Sequence, residues 1–328
     1  MASSTRETPE HVLVGEYTDT ANRTGVSVIY FENGATAGVY KYGNATSTRQ
    51  IDSLEPSHTV PMIDALVLSG GSAFGLDVCC GVMRWMRERG RGLDVGGIII
   101  PIVPGAVIFD LRFSTGVTPD CDAGYAACTA LSRRVHEGSF GAGTGATVGK
   151  INGIDGAMKS GVGCARSVLP GGVSVWTYVV VNAFGDVMDG KGGVMAGARK
   201  GKGSRAFVNT SKVISGVMSG TGNGSSSVPA PAPVSGNTTL CVVVTDALFD
   251  KPSLITIAKM ASAGMARALS PAGASFDGDV VFAVSNGGKS AFIDAVGDAS
   301  ARLVEDAIRR AVMHADGFGI LPAYRDLH

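Results

Sequence analysis

The stretch Gly236-Asn-Thr-Thr-Leu-Cys-Val-Val-Val-Thr245 joins two segments of opposite character. Before it, residues from about 201 to 236 include TGNGSSSVPAPAPVSG and offer few side chains for a core, a composition typical of a flexible linker. After it, residues 239–245 form an apolar run that predicts a buried strand. The junction therefore places Asn237 and Thr238 where a mobile segment meets a core strand.

One physical reason for such a junction is cleavage of the bond between Asn237 and Thr238. A threonine that becomes a chain terminus carries a hydroxyl nucleophile and an α-amine on one residue. The pKa of a free α-amine is about 7.7–8.0, so this amine can act as a general base near neutral pH. Nucleophile and base are then already positioned together. The junction alone leaves open the alternative of an ordinary surface linker that enters a strand.

The remaining pattern predicts an α+β protein in which short strands and helices alternate. Residues 238–328 form a β-α-β-α unit. The predicted strands are 26–31, 64–68, 173–181, 239–245 and 280–284. The predicted helices are 72–88 and 253–269, capped by Ser72 and Ser253, then 122–134, and finally 298–314, capped by Asp298.

Composition and charge exclude several classes of protein. The chain has 28 Lys plus Arg against 28 Asp plus Glu, and this balance argues against a nucleic-acid partner. Charged residues make up only 17%, which suits a homo-oligomer that buries surface between subunits. The two longest uncharged apolar stretches, 95–109 and 167–185, are interrupted by prolines, and the first residues carry charge, so neither a membrane span nor a signal peptide is expected. We expect a cytoplasmic protein.

Familiar catalytic and binding motifs are absent. The six cysteines form no C-x-x-C pair and the five histidines form no H-E-x-x-H, so no zinc site is indicated. The run Gly141–Lys150 is not a phosphate-binding loop, because Thr144 stands where a glycine is needed and Ile151 follows the lysine. Ser72 in GGSAF lacks the last glycine of a nucleophile elbow.

Five blocks of sequence, taken together, resemble one family. They are LVLSGGSAFG (66–75), PIVPGAVIFDL (101–111), GTGATVGK (143–150), GNTT (236–239) and FDGDVVFA (276–283). In this order, over roughly residues 12–314, they resemble the DmpA-type aminopeptidases and their relatives, the β-aminopeptidases and the endo-acting nylon oligomer hydrolases. The resemblance implies a single domain, 1–328, with the four-layer αββα sandwich of the N-terminal nucleophile hydrolases. It also implies one self-cleavage and assembly into oligomers, commonly tetramers.

Carried onto this sequence, the resemblance places self-cleavage between Asn237 and Thr238. The products would be an α chain, 1–237, with a flexible tail from about 201 to 236, and a β chain, 238–328. The hydroxyl of Thr238 would attack the Asn237 carbonyl in an N-to-O acyl shift, and would later form an acyl-enzyme with substrate. Lys150 would lie near the nucleophile and lower the pKa of its α-amine. Asn182 would donate its side-chain amide to the oxyanion.

An acidic pair and one aromatic residue complete the predicted site. Asp277 and Asp279 flank Gly278, so in an extended segment both carboxylates face the same way, and their repulsion raises the pKa of one. In the nylon oligomer hydrolases the equivalent acids serve the nucleophile, although the residues alone favour a D-G turn between helix and strand. Phe109 stands where relatives usually carry Tyr, which removes a hydroxyl from a residue of the predicted substrate pocket.

Three functions follow from these expectations. The first is a self-processing N-terminal threonine hydrolase, aminopeptidase-like, that acts on small peptide, amide or ester substrates and needs neither metal nor organic cofactor. The second is an endo-type hydrolase of 6-aminohexanoate (nylon) oligomers, which the threonine nucleophile slightly favours. The third is a non-catalytic ligand-binding oligomer, which only Phe109 supports.

Overall fold

A computed structural model describes the chain over residues 5–219 and 236–328. Its strands are β1 Thr5–Glu7, β2 Val12–Asp19, β3 Thr24–Lys41, β4 Thr48–Arg49, β5 Ile63–Ser69, β6 Leu93–Val95, β7 Ile98–Ile100, β8 Gly105–Val107, β9 Arg134–His136, β10 Thr147–Val148, β11 Met158–Lys159, β12 Val162–Val168, β13 Ser174–Asn182, β14 Asp186–Met188, β15 Val194–Ala196, β16 Thr238–Ala247, β17 Leu269–Ser270 and β18 Val280–Lys289. Its helices are α1 Val78–Arg87, α2 Cys121–Thr129, α3 Thr210–Ser219, α4 Lys251–Ala268, α5 Ile293–Met313 and α6 Tyr324–Leu327. None of these helices is both long and apolar enough to cross a bilayer.

The long strand β3 links the two main layers of sheet. Its first part pairs with β2 and β5, and its second part, residues 36–41, pairs with β18. The hydrogen-bonded order is β12-β13-β16-β18-β3-β5-β8-β4, with β2 beside the first part of β3. A single strand therefore carries the backbone from one layer of sheet to the other.

Alternation along the strands separates three layers of apolar side chains. On β16, Leu240, Val242 and Val244 join a core between the two layers of sheet, together with side chains from β2, β3 and β5. Cys241 and Val243 point the other way, into a core that α4 and α5 cover. A third core lies between the outer face of β3 and β5 and the helices α1 and α2. Because successive side chains of a strand face opposite ways, this pattern gives helix, sheet, sheet and helix layers. The predicted four-layer αββα sandwich is confirmed.

The five predicted strands all occur, but three predicted helix starts are wrong. Ser72 has φ +54° and begins a 3-10 turn that precedes α1, so it does not cap that helix. The carboxylate of Asp250 accepts the Ser253 N–H at 3.0 Å and thus begins α4 three residues earlier than predicted. The last long helix, α5, begins at Ile293, one turn before Asp298.

The predicted flexible segment is ordered over its first part. Asp186 is buried, and its carboxylate accepts the Thr210 N–H at 2.6 Å and the Thr210 hydroxyl at 2.8 Å, which fixes the start of α3. Arg199 and Phe207 form a β-bridge just before this helix. Polar anchoring of this kind leaves no apolar pattern in the sequence, which is why the prediction began the linker at about residue 201. Residues 220–235 lie outside the described residues.

Candidate active site

Three adjacent strands bring the predicted residues to one end of a sheet. Thr238 is the first residue of β16, and its register partner on β13 is Asn182, the last residue of that strand. Asp279 immediately precedes β18, whose Val280 pairs with Leu240 of β16. Register alone therefore places Thr238 between Asn182 at the end of β13 and the acidic pair just before β18.

The Asn237 carbonyl lies between two donors. It accepts the Thr238 hydroxyl, with the two oxygens 2.6 Å apart, and the Gly278 N–H at 2.8 Å. Asn237 and Thr238 are buried, with exposed fractions of 1% and 6%. A side chain at residue 278 would place its Cβ 2.6 Å from the Thr238 hydroxyl oxygen, so glycine is required there. The hydroxyl thus lies beside an adjacent carbonyl whose oxygen already receives a backbone N–H, as acyl transfer requires.

Lys150 is buried behind this carbonyl. Its ammonium donates to the Asn182 backbone oxygen at 2.8 Å, to the Asn182 side-chain oxygen at 2.7 Å and to the Gly236 oxygen at 3.5 Å. Burial lowers the pKa of Lys150 to about 7, against the opposing effect of the Asp277 carboxylate. The lysine therefore holds Asn182 in place and can change charge near neutral pH.

Asn182 is held by contacts on both ends of its amide. Its oxygen accepts from Lys150 and from the Thr147 N–H at 3.1 Å. Its nitrogen donates to the Phe109 oxygen at 3.0 Å and to the Gly236 oxygen at 3.4 Å. In the uncut chain this amide faces the carbonyl one residue before the junction, and the Gly278 N–H is the group that donates to the Asn237 oxygen.

The acidic pair is buried beside the nucleophile. Asp279 accepts the Thr239 N–H at 2.6 Å, and Asp277 accepts the Ala274 N–H at 2.9 Å through one oxygen. The other Asp277 oxygen has no hydrogen-bond partner within residues 5–219 and 236–328. Burial raises the pKa of both carboxyls, and the charge of Asp277 raises that of Asp279 further. A buried carboxyl with one unpaired oxygen is suited to hold a proton.

A backbone loop that the sequence analysis did not single out supports the acidic pair. The N–H groups of Tyr42 and Gly43 donate to the backbone oxygen of Asp279 at 2.9 and 3.0 Å, and the Ala45 N–H donates to the backbone oxygen of Asp277 at 2.9 Å. Backbone donors carry no residue signature. Their only trace in the sequence is Gly43, where a Cβ would lie 2.2 Å from the backbone oxygen of Asp277.

Phe109 contributes to a cavity on the other side of the junction. Its ring packs against Gly236, where a Cβ would lie 2.4 Å from a ring carbon. Gly236 also has φ +120°, so both space and backbone conformation require glycine. The cavity is lined by Phe109, Asp110, Arg112, Phe113, Thr147, Lys150, Gly153, Ile154, Gly236 and Asn237. All six predicted positions (Thr238, Lys150, Asn182, Asp277, Asp279 and Phe109) thus surround the Asn237–Thr238 bond or the cavity beside it.

Comparison with known proteins identifies the family. A family model described as peptidase family S58 matches residues 10–320. The chain belongs to this family. It is 35% identical over 320 residues to an uncharacterized aminopeptidase of Mycobacterium bovis, a match that covers 92% of this chain and 89% of that protein. Membership in family S58 makes the chain a hydrolase of peptide or amide bonds.

One further relative and one solved structure extend the comparison. A 6-aminohexanoate-oligomer endohydrolase of Kocuria sp. is 30% identical over 267 residues, which cover 80% of this chain and 69% of that protein. The solved structure of an L-aminopeptidase D-Ala-esterase/amidase from Ochrobactrum anthropi, described as a variant of the Ntn hydrolase fold, has a TM-score of 0.67 at 19% identity. That match covers 94% of this chain and 85% of the other and shows a common fold.

The buried Asp279 of this S58 chain gives a pH-dependent prediction. Its folded pKa is raised, so between about pH 4 and about pH 7 the native state binds more protons than the unfolded chain, and stability falls as pH rises. Asp279→Asn removes this titration and keeps an oxygen for the Thr239 N–H. From about pH 5 to about pH 8 we expect the variant to gain at least ~1 kcal/mol of unfolding free energy relative to its parent.

Urea unfolding of both proteins in a Thr238→Ala background, where neither chain can cut itself through Thr238, measures this difference. Asp250→Asn is the control, because hydrogen bonds from Ser253 lower the pKa of that exposed carboxyl and its titration is complete below this range. If the difference in unfolding free energy between Asp279→Asn and its parent does not change with pH, the prediction is wrong.

Proposed function

We propose that the chain cuts itself between Asn237 and Thr238 and then hydrolyses amide bonds as an aminopeptidase, through an acyl-enzyme on Thr238. The observation that carries the proposal is the pair of donors at the Asn237 oxygen, with the Thr238 hydroxyl at 2.6 Å and the Gly278 N–H at 2.8 Å. A buried hydroxyl held against the carbonyl of the preceding residue is the geometry that an N-to-O acyl shift needs.

Self-cleavage would proceed in two steps. The Thr238 oxygen bonds to the Asn237 carbonyl carbon, and the developing oxyanion accepts a hydrogen bond from the Gly278 N–H. The hydroxyl proton passes to a carboxylate, and the unpaired oxygen of Asp277 is suited to accept it. The C–N bond then breaks, the proton goes to the new amine, and an ester links Asn237 to Thr238. Water hydrolyses this ester and releases chains 1–237 and 238–328.

The mature site would reuse the same groups. The α-amine of Thr238 takes the hydroxyl proton during attack on a substrate carbonyl and returns it to the leaving amine. Departure of Gly236 and Asn237 frees the Asn182 amide nitrogen, which then faces the vacated space and can donate to the substrate oxyanion. Lys150 fixes that amide and its positive charge disfavours protonation of the α-amine.

Aminopeptidase activity is proposed first because relatives that are 35% identical over 92% of this chain are named aminopeptidases. The 30% identity to endohydrolases of 6-aminohexanoate oligomers keeps endo-cleavage of linear amides as the second candidate. Product analysis separates them, since an aminopeptidase releases single amino-terminal residues whereas an endohydrolase releases internal fragments. The full set of acid, base and donor groups around Thr238 argues against a non-catalytic role.

Thr238 provides the direct test of the nucleophile. Thr238→Ala removes the hydroxyl, so we expect one uncut chain of 33.4 kDa on a denaturing gel and no turnover of aminoacyl p-nitroanilides. Thr238→Ser retains a hydroxyl and is expected to give both chains and measurable turnover. An uncut Thr238→Ala chain that still hydrolyses these substrates would refute the proposal.

Gly278 tests the backbone donor. A Cβ at this position would displace the Thr238 hydroxyl and the N–H that faces the Asn237 oxygen. We expect Gly278→Ala to slow the appearance of the two chains by about 100-fold, as the loss of an oxyanion donor does. Gly288→Ala is the matched control, because it lies on β18 with nothing within 4 Å of its Cβ.

A time course on denaturing gels measures both rates, and circular dichroism shows whether each variant is folded. Folded Gly278→Ala that cuts itself as fast as the Gly288→Ala control would contradict this role.

A further inference from the structure

Arg112 is a charged residue of the cavity that the mechanism above does not use. It lines the same cavity as Phe109, Lys150 and Asn237, and its side chain is exposed. Throughout the parts of the chain that the structure describes, no carboxylate pairs with this guanidinium and no hydrogen bond holds it. An arginine carries its charge at every physiological pH, so a cation without a partner lies at the cavity.

The turn that carries Arg112 is fixed on both sides. Just before it, the buried carboxylate of Asp110 accepts the Gly71 N–H at 2.8 Å and the Thr24 hydroxyl at 2.7 Å. Just after it, the Phe113 N–H donates to the backbone oxygen of Asp110 at 2.8 Å. The backbone beneath Arg112 is therefore positioned before a ligand arrives, which reduces the entropy lost on binding.

The cavity lies on the acyl side of the reaction. In self-cleavage Asn237 supplies the acyl group, and this buried residue lines the cavity together with Gly236. Once residues up to Asn237 leave, the acyl group of a substrate takes their place. The space vacated by Asn237 is enough for the side chain of an aspartyl residue, which has the same shape.

The charges around the cavity favour an anion there. Arg112 and Lys150 both line it, and Arg112 is close enough that its charge helps to disfavour the charged form of Lys150. The carboxylate of Asp110 is already occupied by the Gly71 and Thr24 donors. A carboxylate on the acyl group would therefore gain a partner that can bind it through two parallel hydrogen bonds.

We propose that Arg112 determines specificity by binding a carboxylate on the acyl group, so that preferred substrates are amides of aspartyl or glutamyl residues. This inference rests on the proposed function, since it names the substrate class of the same site. Arg112 acts on binding and takes no part in bond breaking.

Matched pairs of substrates test the inference on the self-cleaved protein. We expect kcat/KM to be about tenfold higher for aspartyl than for asparaginyl p-nitroanilide, or for glutamyl than for glutaminyl. Arg112→Gln should remove this preference by raising KM for the acidic substrates, with a smaller change in kcat/KM for the neutral ones. Arg112→Lys should retain part of it, and added salt should weaken it. Arg87→Gln on α1, which lines a different cavity, is the control and should change nothing.

Two results would overturn the inference. In the first, the self-cleaved protein hydrolyses neutral substrates with no preference for acidic ones, or Arg112→Gln affects both kinds of substrate alike. This result would refute the role of Arg112 and leave the proposed function intact. In the second, the chain neither cuts itself nor hydrolyses any of these amides. This result would refute both the role of Arg112 and the proposed function.

Discussion

The chemistry of the candidate active site depends on the position of Thr238 as the first residue of a strand that is buried along almost its whole length. Because β16 pairs with β13 on one side and β18 on the other, the register of these pairings fixes the position of its first residue. The Asn237 carbonyl is consequently held between the Thr238 hydroxyl and the Gly278 N–H. The helices α4 and α5 cover one face of the sheet and shield that strand from solvent.

Electrostatics within this rigid frame give the site its chemistry. A lysine and two aspartates are buried within one small region, where low dielectric disfavours their charged forms. The raised pKa of the carboxyls and the lowered pKa of Lys150 bring all three groups towards neutral pH, where proton transfer is most efficient. Such burial costs stability, as is common where a site requires groups that a core would otherwise exclude.

Much of the fold was predictable, because alternating apolar residues determine which strands have two buried faces. The strand after the junction and the β-α-β-α order of the last residues followed from that pattern. Helix starts did not, since caps such as Asp250 and anchors such as Asp186 act through single polar contacts. For the site, the residue types of Thr238 and the acidic pair carried a signal. The Gly278 N–H and the position of Arg112 did not, because a backbone donor and an exposed arginine look ordinary in sequence.

The central claim is that the bond between Asn237 and Thr238 is cut by the chain itself to expose the nucleophile. Amino-terminal sequencing of freshly purified, catalytically active wild-type protein, together with its intact mass, tests this most directly. We expect a second amino terminus that begins Thr-Thr-Leu-Cys. We also expect two masses, one for the chain that ends at Asn237 and one for residues 238–328. A single intact chain that is fully active, or a second terminus at any other residue, would contradict it.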